Sequence, residues 1–117
     1  MPPASSIQNV DLIMNKPLLL IAACIALPAM AAQEHVVAQK DKAFATKSLA
    51  VKVGDKVNFR NDDSFSHNIF SLADDMPFDL GTYGQGQSKS VVFTKPGKFE
   101  IECAIHPDMR MVINVAP

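Results

Sequence analysis

Residues 96–115 read PGKFEIECAIHPDMRMVINV, and this stretch decides the fold. Pro96-Gly97 is a turn pair. Behind it Phe99, Ile101 and Cys103 share one face while Lys98, Glu100 and Glu102 take the other, the two-residue period of a half-buried strand. Met111, Ile113 and Val115 repeat the alternation to the chain end. Working outward, Val57 and Phe59 alternate with Lys56, Asn58 and Arg60, after a Gly54-Asp55 turn that follows Leu49, Val51 and Val53. Apolar runs surround Ile69-Phe70 and Val91-Phe93. No segment carries a sustained helical period. Six or seven short strands joined by tight turns predict an all-β chain, a sandwich or small barrel. The stretch 71–87 is the longest without a pattern, and is expected to cross between sheets with one helical turn at most.

The chain has 117 residues and a formal net charge of −1, room for one domain and no global basic field. Nucleic acid is therefore not an expected partner. Its two cysteines, Cys24 and Cys103, make neither a disulfide framework nor a CxxC zinc or redox motif. Residues 17–32, PLLLIAACIALPAMAA, follow Met14-Asn15-Lys16 and end in Ala29-Met30-Ala31. A basic start, an apolar stretch and an A-x-A site predict a signal peptide over 1–31, a domain over 32–117, and export to the periplasm. The run is too short and too broken by Pro17 and Pro28 for a membrane span. Residues 1–13 resemble no part of a signal, which points to Met14 as the true start. The alternative is a long n-region. Ile21-Ala22-Ala23-Cys24 offers a lipobox as a rival, against which the apolar run continues past Cys24.

Cleavage would leave Cys103 as the single cysteine of an exported domain. A lone thiol there is a liability unless something occupies it. Cys103, His106 and Met109 form C-x-x-H-x-x-M directly after a strand, and His67 opens another strand far upstream. Two imidazoles, a thiolate and a weak thioether suit a blue-copper site, with three strong ligands near one plane and the thioether on the axis. Structural zinc would close its tetrahedron with more cysteine or histidine. No catalytic triad or paired-carboxylate arrangement is present, so an enzyme is not expected.

At these residues the chain resembles the cupredoxins, the blue copper family of plastocyanin, pseudoazurin and amicyanin. The resemblance rests on VGDKVNFRNDDSFSHNIF at 53–70 and PGKFEIECAIHPDM at 96–109. Two residues between His106 and Met109 give the short, amicyanin-like loop. The family implies a Greek-key β-sandwich with one type 1 copper, held by His67, Cys103, His106 and axial Met109. It also implies that the backbone N–H of Asn68 donates to the Cys103 sulfur and that its side chain ties the two ligand loops. Ala104-Ile105 departs from the family, where a polar residue and then proline are common. Met111 is the rival axial ligand, but its parity with Ile113 and Val115 assigns it to the core.

The implied function is one-electron transfer between transient redox partners, such as a dehydrogenase donor and a c-type cytochrome or oxidase acceptor, by a monomer. Pro107, Ile105 and Met111 are expected to form an apolar collar around His106. Copper carriage or resistance through the same site is the alternative; methionine- or histidine-rich tracts that would favour it are missing from 32–117. A metal-free module would require all four ligand-type residues to be coincidental. Asp62, Asp63, Asp74, Asp75 and Asp79 fall in a stretch without Lys or Arg, read as a solvated face that could steer a basic partner. Tyr83 is expected to lie over the loop.

Overall fold

Alternation becomes strand wherever one face can be buried, and a computed structural model describing residues 31–117 places nine such strands. They are β1 (Glu34–Lys40), β2 (Ala43–Phe44), β3 (Ser48–Lys52), β4 (Lys56–Asn61), β5 (His67–Ser71), β6 (Phe78–Tyr83), β7 (Ser88–Val92), β8 (Gly97–Glu102) and β9 (Arg110–Ala116). No helix occurs among the described residues, and none is long and apolar enough to cross a membrane. The segment expected to be a signal peptide lies, but for its last residue, outside the described residues.

The strands form two sheets, a four-stranded one in the order β2-β1-β4-β7 and a five-stranded one in the order β3-β9-β8-β5-β6. β1 runs parallel to β4 and β3 parallel to β9, while the remaining neighbours are antiparallel. Inward residues of both sheets meet in one core. Phe93 packs edge-on to Phe78 with ring centroids 6.0 Å apart and lies 5.4 Å from Phe99. Phe59, Ile69, Ile101 and Ile113 are fully buried beside them. Each such side chain contributes about 1.5–3 kcal/mol of hydrophobic stabilisation. Met111 is 2% exposed, so it belongs to this core and not to a surface collar.

Two elements differ from the sequence expectation. β1 is not among the strands expected from the alternation, because Val36 is exposed and Gln39 is buried, which breaks the hydrophobic code. β6 lies inside the stretch read as unpatterned. Its pairing with β5 slips between Asn68 and Phe70, and Gly81 at φ +76° takes up the extra residue as a bulge. No helical turn forms there, within the expected limit of one, whereas Val53, expected inward, is exposed.

The tight connection between β1 and β2 is built from Asp41 and Lys42, both left-handed at φ 54° and 57°. That geometry suits a two-residue hairpin, but without glycine it is strained. The carboxylate of Asp63 accepts from both of their backbone amides, at 2.8 and 3.2 Å, and so holds the turn. At the opposite end of the sandwich Asp55 does the same for the residue before β1 and the end of β3. It accepts from the amides of Gln33 and Lys52 and bonds His35, and these contacts bring its carboxyl down to about 2.

Candidate metal centre

His67 opens β5, and its backbone is fixed by pairing with Tyr83 of β6. Cys103 directly follows β8, continuing the inward row of Phe99 and Ile101. The 103–109 loop is closed by its own backbone: Met109 N–H donates to the His106 carbonyl at 2.9 Å, and Cys103 N–H to the Met109 carbonyl at 3.3 Å. This closure returns His106 to the sulfur. The His67 and His106 Nδ1 atoms lie 3.8 and 3.7 Å from Cys103 Sγ. One ligand atom from each of the three residues lies within 4.8 Å of the others.

That spacing fits a bound metal. A sulfur about 2.3 Å and a nitrogen about 2.0 Å from one ion, at 120° to each other, stand about 3.7 Å apart. His67 and Cys103 are buried at 0% and 1% exposure, whereas His106 is half-buried and presents an edge outward. Met109 is buried at 1%.

Asp63 decides which nitrogen of His67 is available. Its Oδ2 lies 2.7 Å from His67 Nε2, with both side chains buried. An ionised carboxylate only accepts, so Nε2 carries the proton and Nδ1 turns its lone pair toward the sulfur. Burial pushes the Asp63 carboxyl up, but the His67 ring and the amides of Asp41 and Lys42 outweigh it and hold the carboxyl below its usual range. Burial, then His67 and Lys42, push His106 down against a weaker pull from Asp63. The neutral, metal-binding form of the His106 ring is thereby favoured.

Asn61 organises the connecting loop. Its Nδ2 donates to the Phe65 and Tyr83 carbonyls, and its Oδ1 accepts from Asp63 N–H at 2.8 Å. Phe65 is thus placed against both histidines, with ring centroids 5.3 Å from each and the Lys42 ammonium 5.7 Å from its own. Tyr83 is buried in the core and donates its hydroxyl to Gln39 Oε1, so it does not lie over the loop. Burial, with the Cys103 thiol nearby, pushes that hydroxyl up.

The acidic stretch is not one face. Asp62 pairs with Arg60, Asp63 is buried, and Asp79 bonds Asn68. The backbone N–H of Asn68 donates to Cys103 Sγ at 3.4 Å, as the resemblance implied. Its side chain does not tie the two ligand loops. Nδ2 donates to Asp79 of β6 instead, at 3.2 Å, because Ala104 offers no polar side chain in the ligand loop. Asn61, Asp63, Phe65 and Asp79 were not singled out from sequence as site residues. The Asn/Asp/Ser run at 61–64 signals a side-chain-organised turn just before His67.

Residues 31–116 match the family model for copper binding proteins of the plastocyanin/azurin family. The chain belongs to that family. Its cofactor is copper, and like the plastocyanins and amicyanin it matches, it is not an enzyme. This cupredoxin is 35% identical over 92 residues to the methylamine utilization protein MauL of Methylorubrum extorquens, covering 78% of this chain and 80% of the relative. It is 31% identical over 77 residues to amicyanin of Paracoccus denitrificans, covering 57% of this chain and about half, 53%, of that protein. A Cu(I) structure of an amicyanin variant superposes with a TM-score of 0.67 at 28% identity, covering 71% of this chain and 82% of that one. The cupredoxin sandwich is therefore shared in fold as well as sequence.

Proposed function

We propose that this cupredoxin is a periplasmic type 1 copper protein that carries single electrons, with His67, Cys103 and His106 as its strong ligands and Met109 as a weak axial one. The observation that carries this reading is the convergence of one sulfur and two imidazole nitrogens beneath a largely buried surface. When bound, copper supplies a Cu(I)/Cu(II) couple. The chain does the rest: Asp63 orients His67, Asn68 N–H donates to the Cys103 sulfur, and the core excludes water from all but the His106 edge. A site fixed by β5, β8 and β9 of one sheet and a closed loop resists rearrangement between oxidation states.

The half-buried edge of His106 is the exit for the electron. Ile105 at 47% and Phe65 at 38% exposure, with exposed Pro107, make an apolar collar around it. A small apolar contact permits brief docking and fast release. Transient redox proteins, a dehydrogenase as donor and a c-type cytochrome or oxidase as acceptor, are the partners we assign to a monomeric protein. The signal-like segment over 1–31 supports export, with the copper domain over 32–117.

Voltammetry of the copper-loaded protein should give a reversible one-electron wave. Met109→Leu should keep the copper and move that wave upward, because Cu(II) loses more than Cu(I) when the axial thioether goes. Met111→Leu should leave the potential in place and cost less than about 1.5 kcal/mol, as a volume-conserving core swap. A potential that follows Met111 and ignores Met109 would contradict the ligand set, and the lack of any reversible wave would contradict the carrier reading.

A further inference from the structure

We propose that Asp79 is a positioning residue of the copper centre, acting through Asn68 on the thiolate of Cys103. The inference rests on the assignment of Cys103 as the copper thiolate. Asn68 has one job visible at the site: its N–H donates to Cys103 Sγ. That bond is only as steady as the backbone of Asn68. The side chain anchors that backbone at a single point, since Nδ2 meets Asp79 Oδ1 while Oδ1 is buried with no hydrogen-bond partner among the described residues. The ligand loop offers no second anchor, because the residue after Cys103 is Ala104.

The bulge in β6 explains how Asp79 reaches Asn68. The regular register would pair residues one-to-one along β5, but Asn68 opposes Thr82 and Phe70 opposes Asp79, so β6 carries one extra residue between them. Gly81, left-handed, absorbs it, and its N–H donates to the same Asp79 Oδ1 at 2.8 Å. One carboxylate oxygen thereby stabilises the bulge and grips the asparagine. Bulges beside functional sites serve to re-aim side chains in this way. The strand pair, not the ligand loop, then sets the hydrogen bond that tunes the sulfur.

Two substitutions separate the hydrogen bond from the charge. Asp79→Asn keeps an acceptor oxygen for Asn68 and Gly81 but removes the charge; Asp79→Ala removes both. Asp79 is exposed, so both variants should fold, which thermal unfolding of the copper-free protein checks. A weakened N–H to sulfur bond leaves the thiolate more electron-rich. The thiolate-to-Cu(II) band of Asp79→Ala should therefore shift to longer wavelength, and its potential should fall below that of Asp79→Asn. The Asn68 amide of the Cu(I) alanine variant should exchange with solvent about fivefold faster, the effect of losing one ordinary hydrogen bond. The asparagine variant should keep the wild-type band and exchange rate. Identical bands, potentials and exchange rates in the two variants would overturn the proposal while leaving the copper ligands standing. A wild-type protein with no thiolate band would overturn the ligand assignment and this inference with it.

Discussion

Cys103→Ser should yield a folded protein without the intense visible band expected of the wild type with Cu(II). The band requires a soft, polarizable thiolate bonded to copper, and a serine hydroxyl at neutral pH is neither ionised nor soft. The fold should survive because the change is small and the new hydroxyl is not stranded. The Nδ1 atoms of His67 and His106 and the N–H of Asn68 all point to that position. Copper binding should weaken severely, since one of three converging strong donors is gone. The absorption spectrum reads the first effect and a copper titration the second. A serine variant as blue as the wild type would remove Cys103 from the site.

Asp63→Asn should raise the reduction potential and destabilise the fold together. The carboxylate accepts from Asp41, Lys42 and His67 at once, at 2.8, 3.2 and 2.7 Å. An amide replaces one acceptor oxygen by a donor, so at least one of these three N–H groups loses its partner. A buried donor left unpaired costs about 1–3 kcal/mol. Removing a buried negative charge behind His67 favours Cu(I), and each 1.4 kcal/mol of such bias is about 60 mV for one electron. The stability arm also has a pH signature. Because the folded-state carboxyl sits below its usual value, its contribution is present above the ordinary carboxylate range and is lost as pH falls through the lowered value. The gap in stability between wild type and variant should therefore be full near neutrality and close in strong acid. An unchanged potential with an unchanged unfolding midpoint would show that Asp63 does not hold His67.

These two residues also mark what a sequence yields. Cys103, His106 and Met109 lie within one loop, so their chemistry is local and legible, and the alternation of β8 and β9 fixes which face the sulfur takes. Asp63 looks like any member of an acidic run. Its role depends on the Asp41-Lys42 turn and on His67, brought together only by tertiary folding. Asp79 depends on a bulge that Gly81 permits, and a bulge erases the two-residue period by which strands are read. β1 escaped for a related reason, since buried Gln39 satisfies Tyr83 and not the hydrophobic pattern. Asn68 shows the limit of resemblance: its backbone contact to sulfur follows the family, while its side chain follows this chain's own Ala104 and Asp79.

The central claim is that the site carries electrons and keeps its copper. His67 and Cys103 are buried, and only the edge of His106 meets the surface, so an acceptor's ligand has no approach without local opening. Electron exchange needs only contact at that edge. The most direct test measures both on one sample, electron self-exchange by NMR line broadening in mixed Cu(I)/Cu(II) protein and Cu(I) loss to a competing chelator. Self-exchange much faster than copper loss is the expected result. Ready surrender of Cu(I) alongside sluggish self-exchange would contradict it and make the protein a copper carrier.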